Sequence, residues 1–431
     1  MLGLHLAFLL VVAGSTATLV ALALLNVRYA SCHIHERETW LRETLGVTEP
    51  DRLDAYHRLR TGTTQLRRVL GLGIILLVLY SGLFGSVVAW LISTLGNGPI
   101  AGVALLAGLT LSWRALAAPF DGFGTFAVEE AFGFNEQSPR LFLRDALLET
   151  AIGVVLVAAI GGAVLVALEW FPEWWWLAAT GVVAGFALLS QVLLPRVIMP
   201  LFYDFEPVDS GDLREAVEDV FDRAGFTCED IYVMDASSRS GHSNAFFTGF
   251  GATKRVVLFD TLLEQLETRQ LQSVLAHELA HWKRGHVWQR IGVSVLEAGV
   301  LLFLAAQLME TSWLYGLFGV PAMPAAGLVL AGLWLGPLSR VSSLLTNRLW
   351  LANEREADAF AVEVMGDGTP LAEALATLTE ENLANPFPHP WYEALAYQHP
   401  PVPERIRTLT ETADSTPADA EAGESAEVDS T

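Results

Sequence analysis

Long apolar blocks alternate with short polar connections along most of this chain. Seven blocks stand out, and most reach the roughly 20 residues that a helix needs to cross a membrane. A polar segment at 196–290 interrupts the series, and a second polar stretch follows the last block. The pattern predicts an α-helical multi-pass membrane protein with spans at 4–25, 69–95, 100–117, 147–170, 174–194, 291–309 and 324–345.

Basic residues between the blocks predict the orientation of the chain. Arginines are frequent between the first two blocks and again at Arg140 and Arg144, whereas the connections near Asn97 and Pro172 carry no Lys or Arg. By the positive-inside rule, the N-terminus lies outside and the C-terminus inside. The first block has no basic residue before Arg28, which favours an uncleaved anchor over a signal peptide. We therefore expect a cell-membrane protein whose polar segment faces the cytoplasm.

Composition narrows the classes of partner. Of 431 residues, 52% are hydrophobic and 17% are charged, and the net charge of −22 argues against a nucleic-acid partner. Part of the excess acid lies at 408–431, a low-complexity tail for which we expect disorder. The two cysteines, Cys32 and Cys228, provide neither a disulfide framework nor a cysteine-based metal site.

Residues 277–281 form an HExxH run inside a stretch with helical periodicity. Positions i and i+4 share one helix face, so His277 and His281 can direct both imidazoles at one metal ion. Glu278 lies one residue along, where it can activate a water bound to that metal. The run therefore predicts a zinc hydrolase with one Zn²⁺ per chain and an open coordination position for water.

A third ligand is expected immediately after the seventh block. Glu354 and Asp358 are four residues apart, so on a helix Glu354 could ligate zinc while Asp358 hydrogen-bonds a ligand histidine. Glu356 is the competing ligand, although it would point about 200° away from Glu354. His286 would lie on the opposite side of a continuous helix from His277, and we expect it on the surface or behind a ligand.

The polar segment mixes helical and strand patterns. Short β-rich runs at 231–234 and 255–259 and a candidate strand at 243–248 accompany helices at 213–224, 262–267 and 271–284. A small α+β metallopeptidase domain is therefore expected. The predicted parts are a membrane region with five spans and two cytoplasmic loops (1–195), the metallopeptidase domain (196–290), spans six and seven (291–348), a catalytic part with the third ligand (349–407) and the tail (408–431).

Six segments together resemble the type I CAAX prenyl proteases, integral membrane zinc endopeptidases related to the HtpX-like proteases. The resemblance implies seven helices enclosing a chamber, with a gluzincin-like zinc domain on the cytoplasmic side. It also implies that substrate lies along the strand of Asn244, Ala245 and Phe246. His399 and Arg405 would lie near zinc as catalytic residues that orient substrate or stabilise the oxyanion. The segments are 125–130 with 133–135, 241–247, 254–263, 277–283, 354–359, and 399–401 with 404–405.

The expected activity is zinc-dependent peptide-bond hydrolysis that removes C-terminal residues from lipidated or membrane-associated proteins. The expected partners are a peptide or protein substrate, with or without a prenyl group, and membrane lipid. One alternative is a general quality-control metalloprotease of HtpX type, because the acidic composition suits a prokaryotic, high-salt cytoplasm in which prenylated substrates are not assured. A remote alternative is a non-enzymatic transporter, which leaves the HExxH run, Glu354 and Asp358 unexplained.

Overall fold

A computed structural model of the chain describes residues 1–227, 230–248 and 255–414. Cys228, Lys254 and the part of the expected tail at 415–431 lie outside the described residues. Cys32 is an exposed free thiol. In chain order the helices are α1 (Leu2–Glu36), α2 (Glu38–Leu45), α3 (Pro50–Tyr80), α4 (Leu83–Leu95), α5 (Pro99–Phe123), α6 (Pro139–Trp170), α7 (Trp175–Leu193), α8 (Asp212–Ala224), α9 (Asp260–Gln265), α10 (Thr268–Lys283), α11 (His286–Met309), α12 (Ser312–Gly316), α13 (Pro324–Met365), α14 (Thr369–Glu381), α15 (Pro390–Ala396) and α16 (Val402–Asp414).

Seven helical segments of the described chain are long and apolar enough to cross a membrane. They are built on α1, α3, α5, α6, α7, α11 and α13. Two of them continue beyond their α-helices, α5 through a π-helical turn at Gly124–Glu129 and α7 through short turns to Leu201. The predicted number of membrane helices therefore agrees with the structure.

The second predicted span, 69–95, is not one helix. α3 begins at Pro50, well before the apolar block, and ends at Tyr80, and α4 is a separate apolar helix of 13 residues. Gly82 lies between them with a φ of +78°, a left-handed conformation that ends the helix and that glycine adopts readily. Apolar periodicity alone did not reveal this break, because both sides of it are apolar.

α13 links the membrane region to the polar domain. It is a single helix of 42 residues, or about 63 Å, roughly twice the thickness of a hydrocarbon core. Its first half is the seventh predicted span, and its second half carries Glu354 and Asp358. The predicted boundary between 348 and 349 therefore falls inside a continuous helix, which connects these carboxylates directly to the seventh membrane-length segment.

The polar domain contains one small sheet in the described chain. Its strand order is β1-β2-β4-β3, with β2 and β4 parallel and the other pairs antiparallel. Val256 and Leu258 of β4 pack with Leu275 of α10 and Val217 of α8 in one buried core. β3 is therefore an edge strand fixed against this core. The strands are β1 (Phe205–Pro207), β2 (Asp230–Met234), β3 (Ala245–Thr248) and β4 (Arg255–Phe259).

The C-terminal helix α16 corrects the predicted start of the tail. Disorder was expected from residue 408, but the helix continues to Asp414. Ile406 and Leu409 are buried in the core of the polar domain, and this packing orders the helix. The expectation is therefore wrong for 408–414, where the acidic composition masks an amphipathic helix.

Candidate metal centre and active-site cavity

α10 presents His277 and His281 toward α13. Its start is fixed by a capping box, in which the Gln270 side chain accepts from the backbone N–H of Glu267 at 3.1 Å. Leu271, Leu275 and Leu279 are buried and hold the helix on the core. The Nε2 atoms of His277 and His281 lie 3.4 Å apart, as expected for residues one helical turn apart on one face.

Glu354 of α13 completes the cluster. Its Oε2 lies 3.4 Å from His277 Nε2, and its Oε1 lies 3.4 Å from His281 Nε2. Glu354 and His277 are almost fully buried. Two imidazole nitrogens and one carboxylate oxygen are a donor set used by catalytic zinc, and tetrahedral bonds of about 2.0–2.1 Å place such atoms about 3.3 Å apart. The observed spacing therefore fits a single small cation.

A layer of hydrogen bonds holds the two imidazoles from behind. Nδ1 of His277 lies 2.9 Å from Oδ1 of Asp358, and Arg405 donates two hydrogen bonds to the same carboxylate, at 2.6 and 2.9 Å. Nδ1 of His281 lies 3.1 Å from Nδ1 of His286. Such partners fix the tautomer and the ring orientation of metal-binding histidines.

A turn between α10 and α11, which was not included in the sequence analysis, places His286 beside His281. α10 ends at Lys283, Gly285 has a φ of +76°, and His286 is the first residue of α11. The rotation expected for one continuous helix therefore does not apply. His286 is buried, and its Nε2 lies 3.2 Å from the Glu356 carboxylate, so Glu356 faces away from the three candidate ligands, as the helical rotation predicts.

The charges of the cluster favour a cation at its centre. Burial alone would lower the pKa of His277, but its hydrogen bonds to Asp358 and Glu354 outweigh burial and raise the pKa to about 9. Burial and the neighbouring His277 lower the pKa of His281 to about 4. The carboxylates therefore hold one positive charge beside Glu354, and a metal cation can replace that proton.

Glu278 lies at the wall of a cavity of about 460 Å³ that also contains His281, Glu354 and His399. Among the described residues, none donates a hydrogen bond to the Glu278 carboxylate. Burial raises the pKa of Glu278. Residues of α7, α11 and β3 form the other walls, so the cavity extends from the cluster toward two membrane-length helices.

The two residues that the resemblance placed near zinc, His399 and Arg405, lie on different sides of the cluster. His399 lies in the cavity, is largely exposed, and its Nδ1 lies 2.7 Å from Oε2 of Glu354. Arg405 is buried behind His277, 3.5 Å from that ring, and does not line the cavity. The guanidinium of Arg405 is engaged by Asp358, and its role in orienting substrate or stabilising the oxyanion stays a prediction.

The three predicted substrate-binding residues lie at β3. Phe246 lines the cavity, Ala245 is buried in the core, and Asn244 is exposed immediately before the strand. β3 pairs with β4 on one side, and no other described strand pairs with its second edge. An unpaired edge can accept an extended peptide through main-chain hydrogen bonds.

A polar cluster next to β3 was missed by the sequence analysis. The Tyr56 hydroxyl donates to the Glu129 carboxylate at 3.0 Å and lies 3.3 Å from Nε2 of His242. Nδ1 of His242 lies 2.9 Å from Oδ1 of Asn382. The cluster joins α3, the turn after α5, the segment before β3 and the residue that follows α14. Glu129 and His242 belong to two of the segments that resemble the CAAX prenyl proteases, but the sequence contained no signal that these two residues would lie in contact.

Two family models together match most of the chain. Residues 207–413 match peptidase family M48, and residues 35–204 match the CAAX prenyl protease N-terminal region with five membrane helices. The CAAX prenyl protease 1 homolog of Oryza sativa subsp. japonica is 35% identical over 73% of this chain and 74% of that protein.

The chain belongs to peptidase family M48. It is a multi-pass membrane metallopeptidase that acts on a peptide or protein substrate, which leaves the transporter alternative without support. The probable CAAX prenyl protease 1 of Schizosaccharomyces pombe is 34% identical over 71% of this chain and 65% of that protein. The crystal structure of S. mikatae Ste24p matches with a TM-score of 0.79 and 25% identity, over 92% of this chain and 99% of that one.

Proposed function

We propose that this M48 peptidase is a zinc endopeptidase of CAAX prenyl protease type, which removes C-terminal residues from lipidated or other membrane-associated proteins. The observation that carries the proposal is the meeting of His277, His281 and Glu354 beside Glu278, in a cavity that extends toward membrane helices. The names of the relatives, which are CAAX prenyl protease 1 proteins, support the substrate class.

His277, His281 and Glu354 are the residues that would hold one zinc ion per chain. Their donor atoms lie within 4.8 Å of one another, and the set of two imidazoles and one carboxylate suits zinc. When bound, zinc supplies Lewis acidity toward water and toward the substrate carbonyl. Asp358 and His286 orient the two imidazoles, and Arg405 positions Asp358.

Glu278 is the proposed general base and acid. Its carboxylate faces the cavity, takes a proton from the attacking water and delivers it to the leaving amine. Because burial raises its pKa, Glu278 more readily accepts the proton in the first step and is then protonated for its delivery in the second. His399 lies in the same cavity and is the proposed donor to the developing oxyanion.

The substrate is proposed to bind as an added strand along the free edge of β3. Asn244, Ala245 and Phe246 would provide main-chain hydrogen bonds, and Phe246 would contact a substrate side chain in the cavity. An extended backbone brought to this edge lies beside α10, which carries Glu278. The strand therefore delivers the scissile bond to the candidate metal centre.

The remaining expectations concern the membrane. The distribution of basic residues supports a cell-membrane location with the N-terminus outside and the polar domain in the cytoplasm. We further propose that the seven helices enclose a chamber, that membrane lipid contacts their outer faces, and that a prenyl group of the substrate enters from the membrane side. The five-part division stays a proposal, with α13 shared between its third and fourth parts.

One experiment separates the two candidate activities. The purified protein is incubated with a farnesylated CAAX peptide and with its unlipidated twin, with and without a zinc chelator. Chelator-sensitive cleavage that prefers the lipidated peptide supports CAAX processing. Equal cleavage of both peptides supports a general protease of HtpX type. If the protein cleaves neither peptide and also does not cleave an unfolded membrane protein, the proposed function is overturned.

A further inference from the structure

The wall of the active-site cavity contains a cation that the metal centre does not use. Arg290 lies on α11, and it lines the same cavity as Glu278, His281 and His399. Its guanidinium carbon lies 4.8 Å from the ring centroid of Trp350. Within 1–227, 230–248 and 255–414, no carboxylate lies within ion-pair distance of Arg290.

Two other arginines of the membrane-length helices are paired with carboxylates on neighbouring helices. Arg67 pairs with Asp121 and Arg114 pairs with Glu149, each at 2.6 Å. Charge close to a bilayer is costly, so an arginine there usually has a partner or faces water. Arg290 faces the active-site cavity and is stacked on Trp350, which leaves its in-plane N–H groups able to form a bidentate pair with a carboxylate.

Arg290 lies within the reach of a short peptide from the candidate metal centre, as the positions of His286 and Arg290 along α11 indicate. The His286 ring lies 5.2 Å from the His281 ring, measured between centroids. Arg290 follows His286 by one helical turn, an advance of about 6 Å along α11. An extended chain of three residues spans about 10 Å. A peptide cut at the centre would therefore carry its C-terminal carboxylate to the region of Arg290.

We propose that Arg290 binds the C-terminal carboxylate of the substrate and so selects peptides that are cut a few residues from their C-terminus. This inference rests on the proposed endopeptidase function. It identifies the free C-terminal carboxylate as the part of the substrate that the cavity recognises. The cavity also contains the acidic Glu278 and Glu354, which would repel that carboxylate. Arg290 thus also sets the direction in which the peptide lies.

The test compares two farnesylated peptides of one sequence, ending in a free carboxylate and in an amide. The wild type is expected to cleave the free acid with a kcat/KM about ten- to hundredfold higher, mostly through KM, as for a hydrogen-bonded charge pair. R290Q is expected to cleave both peptides at the rate of the wild type on the amide. R290K is expected to retain part of the preference.

Arg348→Gln is the matched control, because Arg348 is an exposed arginine of α13 that does not line the cavity. It is expected to keep the full preference for the free acid. The role of Arg290 is overturned if the wild type cleaves the acid and the amide with equal kcat/KM, or if R290Q lowers kcat/KM equally on both peptides. Either result leaves the proteolytic function intact. Cleavage of neither peptide by the wild type overturns the proposed function, and the role of Arg290 with it.

Discussion

Nδ1 of His277 donates a hydrogen bond of 2.9 Å to the carboxylate of Asp358. This bond fixes the tautomer of His277 and directs its Nε2 atom at Glu354. Asp358 is itself held by Arg405, so one side of the candidate metal centre depends on a buried charge pair contributed by α13 and α16. The geometry of the site therefore depends on two residues that do not line the cavity.

Glu354 and Glu356 provide a matched test of the third ligand. E354Q is expected to lose most of the bound zinc, because a neutral amide is a poor replacement for the carboxylate. E356Q is expected to keep close to one zinc per chain, since Glu356 contacts His286 and points away from the cluster. Metal analysis of the purified variants measures both, and a zinc loss that is greater in E356Q would contradict the assignment.

Removal of the Asp358 carboxylate should weaken zinc binding without removing a ligand. D358A is expected to lower the zinc affinity about 10- to 100-fold, because His277 loses the partner that orients it. Titration against a competing chelator measures the change. E363Q, an exposed acid on the same helix, is the control and should bind zinc like the wild type. Unchanged affinity in D358A would show that the hydrogen bond does not matter for the metal.

Arg405 should behave as a positioning residue with a large structural effect. R405A leaves the Asp358 carboxylate buried without its guanidinium partner. Breaking a buried ion pair in this way lowers the free energy of unfolding by about 3–5 kcal/mol. We expect a lower thermal unfolding temperature, partly restored in R405K, and weaker zinc binding. R407A removes an exposed arginine of the same helix and should change neither. A variant R405A with normal stability and zinc affinity but an altered KM would instead indicate direct substrate contact.

Tyr56 should act on the substrate-binding strand through His242. Y56F removes the hydroxyl that contacts Glu129 and His242 but keeps the buried ring, so a loss of about 0.5–1.5 kcal/mol of stability is expected. Because His242 lies two residues before Asn244, we also expect a severalfold higher KM with unchanged zinc content. Peptide kinetics on the wild type and Y56F measure this, and a fall in kcat alone would argue against the link to β3.

Local geometry explains which parts of the site were predictable. The pairs His277 and His281, and Glu354 and Asp358, are each four residues apart on a helix, so spacing alone places each pair on one face. Contacts between distant segments carry no such signal. The pairing of Arg405 with Asp358 depends on how α16 packs against α13, and it could not be read from either segment.

The fold shows the same division. Apolar length predicted the number of membrane helices, because the hydrocarbon core sets that length. The break at Gly82 was not predicted, and the position expected for His286 assumed that the helix of His277 continues past Gly285. Both glycines have a positive φ, and a glycine between two helical patterns is compatible with one helix or two. The break at Gly285 is what brings His286 to His281.

Glu278 is the proposed acid–base group at a centre formed by His277, His281 and Glu354. The most direct measurement is the rate of peptide cleavage by E278Q and by the wild type, at equal and independently measured zinc content. This role of Glu278 predicts one zinc per chain in both proteins, an unchanged unfolding temperature, and a rate about 10²–10⁴-fold lower in E278Q. Cleavage by zinc-loaded E278Q at the rate of the wild type would contradict it.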